Sequence, residues 1–209
     1  MPAATAELLG RALDPSVEPP ADEASERILD AALALAAASG LRHLTMDDVA
    51  RRAGVGRMTV YRRFGDRDRL LEALGVREVR RCLAELDATV DPGAPLADQI
   101  AQGFLTSLRL VRDHPLLERF ARLEPEVALE ALNAHDGAIF GMARAFVTAR
   151  LLDAKQAGLV GEIEVEHAAE VLIRLGFSFL LMPRSALPLD DDERARSVAR
   201  DLIAPILKG

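Results

Sequence analysis

Apolar residues first fall into a helical rhythm near Glu23, where Ile28, Leu29, Ala32, Leu33, Leu35 and Ala36 form a stripe at three- and four-residue spacing. The stripe predicts a helix over residues 23–39, and Gly40 suits the position just past its end. Before it, Pro2, Pro15, Pro19 and Pro20 with no sustained periodicity predict a disordered arm over residues 1–22. In Leu44-Thr45-Met46-Asp47-Asp48-Val49, Thr45 suits an N-cap and Asp48 the reciprocal place in a capping box, with Leu44 and Val49 as a hydrophobic staple. A second helix is expected over 46–53, stopped by Gly54, and a third from about Arg57 with Gly56 as its cap. Val60 and Phe64, four apart, give the third helix an inward face, with Val55 filling the junction. A fourth helix follows Asp66, with Leu70, Leu71, Leu74, Cys82, Leu83 and Leu86 on its buried side.

Asp91-Pro92-Gly93-Ala94-Pro95 breaks the pattern. Beyond it the periodicity predicts a helix over 96–113, a short one opened by Pro115, a loop over 133–137, and helices over 138–157, 165–182 (ended by Pro183) and 190–207. Without a strand-like alternation of useful length or a repeat of fixed period, the fold class is all-α.

Composition agrees, with half of the 209 residues apolar, one Tyr and no Trp. One cysteine allows no internal disulfide, and no window is apolar and long enough to span a bilayer, so a cytoplasmic protein without membrane association is expected. The net charge of −7 argues against a nucleic-acid partner until it is divided along the chain. Residues 1–23 carry −4 and residues 82–209 carry −7, whereas residues 24–81 carry +4. Only that middle segment favours a polyanion.

Two helices joined by Gly54-Val55-Gly56, the second presenting Arg57, Met58, Tyr61 and Arg62 outward, match a helix-turn-helix whose second helix enters the major groove of double-stranded DNA. Arginine forms bidentate bonds to guanine, which makes Arg57 and Arg62 candidate base readers. Thr59 and Tyr61 hydroxyls suit phosphate oxygens, Met58 suits a thymine methyl, and Thr45 opens a helix whose amides can hold a phosphate. Arg67 is placed to clamp the next phosphate. Arg51, Arg52, Arg63, Arg77, Arg80 and Arg81 read as solvated helix-face charges.

Residues 27–74 resemble the DNA-binding domain of the TetR family of bacterial transcriptional regulators. The likeness rests on RILDAALALAAASG, LTMDDVARRAGVGRMTVYRRF and GDRDRLLEAL in register. The chain departs from the family pattern at Gly56, where Ser is usual, at Met58, where a small residue or Pro is common, and at Arg67, where Lys is commoner. The Gly56 difference costs a few tenths of a kcal/mol in capping.

The resemblance implies a three-helix DNA-binding domain over 23–75, linked by the fourth helix to a ligand-binding and dimerisation bundle over 76–209. It implies a homodimer on a palindromic operator, released by a small effector. In such a dimer Leu172, Leu175, Gly176 and Phe179 with Val198, Leu202 and Ile206 would face the partner, intramolecular packing being the alternative. Phe104, Leu108, Phe120, Phe140, Met142 and Phe146 would surround the effector, with His114, Arg109, Asn133 and His135 as polar candidates. Such walls suit an apolar, elongated effector, and the excess of acid favours a neutral or cationic one. No zinc spacing, phosphate-binding glycine loop or nucleophile elbow is present, so neither catalysis, a metal nor a cofactor is expected. A repressor is the leading reading; an activator of the same fold, a non-specific architectural DNA binder and a sequestering module are the alternatives.

Overall fold

A computed structural model describes residues 22–133, 138–182 and 184–208, and every regular element among them is helical. The disordered arm expected over residues 1–22 lies outside this range apart from Asp22, as do His135 and Pro183. The elements are α1 (Glu23–Ser39), a 3₁₀ turn (Leu41–His43), α2 (Met46–Ala53), α3 (Arg57–Phe64) and α4 (Arg67–Thr89). They continue as α5 (Leu96–Asp113), α6 (Pro115–Arg122), α7 (Pro125–Asn133), α8 (Ala138–Gln156), α9 (Val165–Leu181) and α10 (Asp192–Val198).

The amino-terminal helices meet as the pattern predicts. Ile28, Leu44, Val49, Val60, Leu70 and Leu74 are fully buried in one cluster, against which Val55 and Phe64 pack. The cluster is closed by Leu116 and Phe120 of α6, so a helix from the carboxy-terminal half forms part of the core that α1 to α4 share.

Four expectations need correction. The end of the chain is not one helix over 190–207: α10 gives way to a π-helical segment (Ala199–Ile203) and then a 3₁₀ turn (Ala204–Leu207). Pro205 explains the change, because it has no amide proton and its ring clashes with the preceding turn of an α-helix. A further helix, α7, precedes the loop expected from Asn133. At the start of α2, Thr45 Oγ1 accepts from the Asp48 amide at 3.1 Å as expected, but Asp48 turns to the cap's hydroxyl, which donates to its carboxylate at 2.6 Å, rather than to the Thr45 amide.

Arg77 is the fourth correction. Its side chain is 8% exposed rather than solvated and is held by carboxylates on three sides, Glu26 at 3.1 Å, Asp30 at 2.9 Å and Glu78 at 2.7 Å. A buried guanidinium requires such pairing, because an unpartnered charge in the interior is far costlier than a solvated one.

Candidate DNA-binding face and effector cavity

The turn between α2 and α3 is built by glycine. Gly54 adopts φ 65° and ψ 33°, a left-handed conformation that costs other residues energy. Its amide reaches the Arg51 carbonyl at 3.4 Å and the Val55 amide reaches Ala50 at 3.1 Å, the two bonds of a Schellman motif. That geometry turns the chain so that α3 leaves with Val60 inward and Met58, 78% exposed, outward.

The expected DNA contacts do not stand alike. Arg62 projects from α3 with no hydrogen bond or ion pair among the described residues. Arg57 is already occupied: Nη1 donates to Asp47 Oδ2 and Nε meets Oδ1, each at 3.0 Å, while its guanidinium lies 5.2 Å from the Tyr61 ring centre. To read guanine it exchanges one bidentate carboxylate for another planar acceptor edge. Thr59 and Tyr61 are half-buried beside it. Arg67 directs two of its donors into the protein, with Nε on the Leu44 carbonyl at 2.9 Å and Nη2 on that of Leu41 at 2.7 Å, while Nη1 meets exposed Asp68 at 3.3 Å. It therefore ties the 3₁₀ turn, and with it the Thr45 cap, to α4. Arg63, read as a solvated charge, pairs with Asp22 at 2.6 Å.

The second half encloses a cavity of about 670 Å³ between α4, α5, α6, α8 and α9, within the range typical of small-molecule sites. Of the seven residues expected around an effector, Phe104, Leu108, His114, Phe120 and Phe146 line it. Phe140 and Met142 do not. Phe140 stacks on Phe177 at 5.7 Å under the Arg174 guanidinium, and Met142 is packed into the core. Of the other polar candidates, Arg109 bonds Asp192 at 2.6 Å and Asn133 donates to the Leu129 carbonyl at 2.7 Å, neither lining the cavity.

Leu172, Leu175, Gly176 and Phe179, expected at a subunit interface, also line this cavity, with Phe179 edge-on to Phe104 at 5.5 Å. An apolar helix face shows that something covers it, not what. Val198 and Ile206 are half-buried, while Leu202 remains 60% exposed.

At the polar end of the cavity the sequence pointed to His114 but not to its partner Glu78. Glu78, buried on α4, accepts from Arg77 Nε at 2.7 Å and lies 3.0 Å from His114 Nε2. His114 Nδ1 in turn accepts from the Leu117 amide at 3.4 Å and so caps α6, which leaves the proton on Nε2 and directs it at Glu78. Burial pushes the Glu78 carboxyl up, but the His114 bond and the Arg77 and Arg81 charges outweigh it and hold its pKa below the ordinary value. The signal was present in the sequence: counting three and four from Leu74 places Arg77 and Glu78 in the apolar stripe of α4.

This arrangement has known relatives. Residues 28–74 match the family described as bacterial regulatory proteins, tetR family. The HTH-type transcriptional regulator Rv1255c of Mycobacterium tuberculosis is 29% identical over 185 residues, 88% of this chain and 85% of its own. Among solved structures, Salmonella enterica GusR superposes with a TM-score of 0.66 at 21% identity, covering 93% of this chain and 98% of that one. The TetR family repressor AlkX of Dietzia sp., implicated in biodegradation of n-alkanes, gives 0.63 at 24% identity over 88% and 94%. Residues 28–74 thus form a helix-turn-helix domain of the tetR-family kind, and over most of its length the chain is similar to HTH-type transcriptional regulators. No helix among the described residues is long and apolar enough to cross a membrane.

Proposed function

We propose that the protein is a cytoplasmic, homodimeric repressor whose two heads (residues 23–75) grip a palindromic operator and let go when a small apolar effector fills the cavity of the 76–209 domain. The observation that carries this reading is the continuity of α4: one helix contributes Leu70 and Leu74 to the head's core and Val79, Leu83 and Leu86 to the cavity wall. An effector that binds one spacing of the heads better than another shifts the population toward it, and the operator accepts only half-site separations that match the dimer.

Arg57, Met58 and Arg62 are the proposed base contacts, with Thr45, Thr59 and Tyr61 on the backbone. Arg67 positions the Thr45 turn through Nε and Nη2, and the group left for a phosphate is Nη1, which meets exposed Asp68. The repressor AlkX, implicated in n-alkane degradation, is in keeping with both repression and an apolar effector. The acidic remainder of the chain disfavours a non-specific architectural role, since it repels DNA outside the head.

The test is selection of random duplexes by the purified protein, followed by binding of the winner across a salt series. An enriched palindrome bound by a dimer supports the reading. Equal affinity for every duplex with a steep salt dependence rejects it in favour of non-specific binding.

A further inference from the structure

The cavity is apolar except at a few points, and those points have one dominant sign. Among the described residues its charged lining residues are Glu78, Asp87 and Asp153 against a single Arg150. Arg150 is half-exposed and already faces Asp87 at 3.3 Å and Asp153 at 3.8 Å, so it offers an anion little. Glu78 differs from the other two acids because it is buried, at 6% exposure, where the α4 wall meets His114. An ionised carboxylate has about four acceptor sites. Arg77 Nε takes one on Oε1 and His114 takes one on Oε2, with Arg81 at 3.5 Å from Oε1 as an ion pair. Each oxygen therefore keeps acceptor capacity.

We propose that Glu78 is the residue that selects the effector's polar end, accepting a hydrogen bond from a primary amine or hydroxyl carried on an apolar chain and rejecting a carboxylate. This rests on the effector reading given above and adds the chemistry of the head group to it. The discrimination has two parts. A donor satisfies an acceptor that already exists in a water-poor wall, and a cationic amine adds a Coulombic attraction strengthened by low local polarity. A carboxylate at the same place is a second negative charge against Glu78, and specificity built on such repulsion is steep. The aromatic side chains of Phe104, Phe120 and Phe146 take the apolar body.

The same carboxylate leads to the DNA-binding head. It holds Arg77, and Arg77 holds Glu26 and Asp30 in the first half of α1. A donor arriving at Glu78 shares the carboxylate with Arg77 Nε and His114 Nε2, so the head-group contact is made at the joint between α4, α6 and α1.

The experiment is calorimetric titration of the full-length protein with 1-octylamine, 1-octanol and octanoate, which share a chain length and differ in the polar end. Wild type is expected to bind the amine and the alcohol at least tenfold more tightly than octanoate. Glu78→Gln is expected to reduce the amine-to-octanoate ratio by about tenfold, and Glu78→Asp, which keeps the charge but withdraws it, to reduce it less. Circular dichroism confirms that each variant is folded, and the wild-type order alone decides the matter if neither variant folds. Octanoate binding as tightly as octylamine, or a ratio unchanged in folded Glu78→Gln, overturns the assignment while leaving the effector reading intact. Failure of all three probes to bind wild type overturns both.

Discussion

Arg119 of α6 donates from Nη1 to the carbonyl oxygens of Ala37 and Ala38 at 3.2 and 3.3 Å, so the last turn of α1 is held by a helix from outside the head. Those carbonyls belong to the group a helix end leaves without intrahelical partners. Because Arg77 of α4 grips Glu26 and Asp30 near the other end, α1 is fastened at both ends, by α4 and by α6. Glu124 fixes the Arg119 guanidinium through two contacts of 3.1 Å. Arg119→Met keeps the apolar stem and removes the donors. It is expected to destabilise the protein by about 1.5 kcal/mol, the lower range for charge-assisted bonds, and to speed amide exchange in the last turn of α1, both measurable by urea unfolding and hydrogen exchange.

Gly54 isolates a backbone cost. A Cβ placed there meets nothing within 4 Å, so substitution incurs only the left-handed conformation. Gly54→Ala should lower stability by about 1–2 kcal/mol, and Gly54→Asn by less, as chemical denaturation will show. Operator affinity should fall more with Ala than with Asn, since the turn aims α3.

The Glu78 carboxyl carries a pH dependence with a definite sign. Its folded pKa lies below its unfolded one, so the stabilisation is present above the ordinary glutamate value and is lost as pH falls through the lowered folded value. The groups facing it are His114, Arg77, Arg81 and the Cys82 thiol. In thermal unfolding between neutral pH and the acid range, wild type should lose stability more steeply than Glu78→Gln. Parallel profiles would show that the carboxyl is not held ionised by these partners.

Cys82 lines the cavity, and its thiol is pushed up to about 11, first by burial and then by the charges of Glu78 and Glu85. The thiolate is the reactive form, so alkylation at pH 8 should be much slower in the folded protein than in urea. A ligand that fills the cavity should slow it further. Labelling as fast as in the denatured chain would place Cys82 outside the wall.

Much of the head could be read directly from the sequence because its signals are local. Thr45 caps α2, Gly40 and Gly54 end helices, and the bounds of α1 and α2 follow within the chain segment itself. What stayed hidden depends on distant partners. The burial of Arg77 rests on Glu26, 51 positions away, and no window around Arg77 contains that residue. The apolar face of α9 was equally visible as a face, but whether Leu175 and Phe179 meet a second subunit or a cavity depends on how α5 and α8 pack beside it.

The central claim is that sequence is read by the outward side of α3, and Arg62 tests it most directly because its guanidinium makes no hydrogen bond or ion pair among the described residues. The measurement is the ratio of affinities for the selected palindrome and a scrambled duplex at one salt concentration, for wild type and Arg62→Ala. A bidentate guanine contact is worth about 1–3 kcal/mol of discrimination, and the proposed dimer would make one in each half-site. Arg62→Ala should therefore collapse the ratio by about 1.5 to 4 orders of magnitude while leaving stability unchanged. A ratio that survives the substitution would contradict the assignment of α3 as the reading helix.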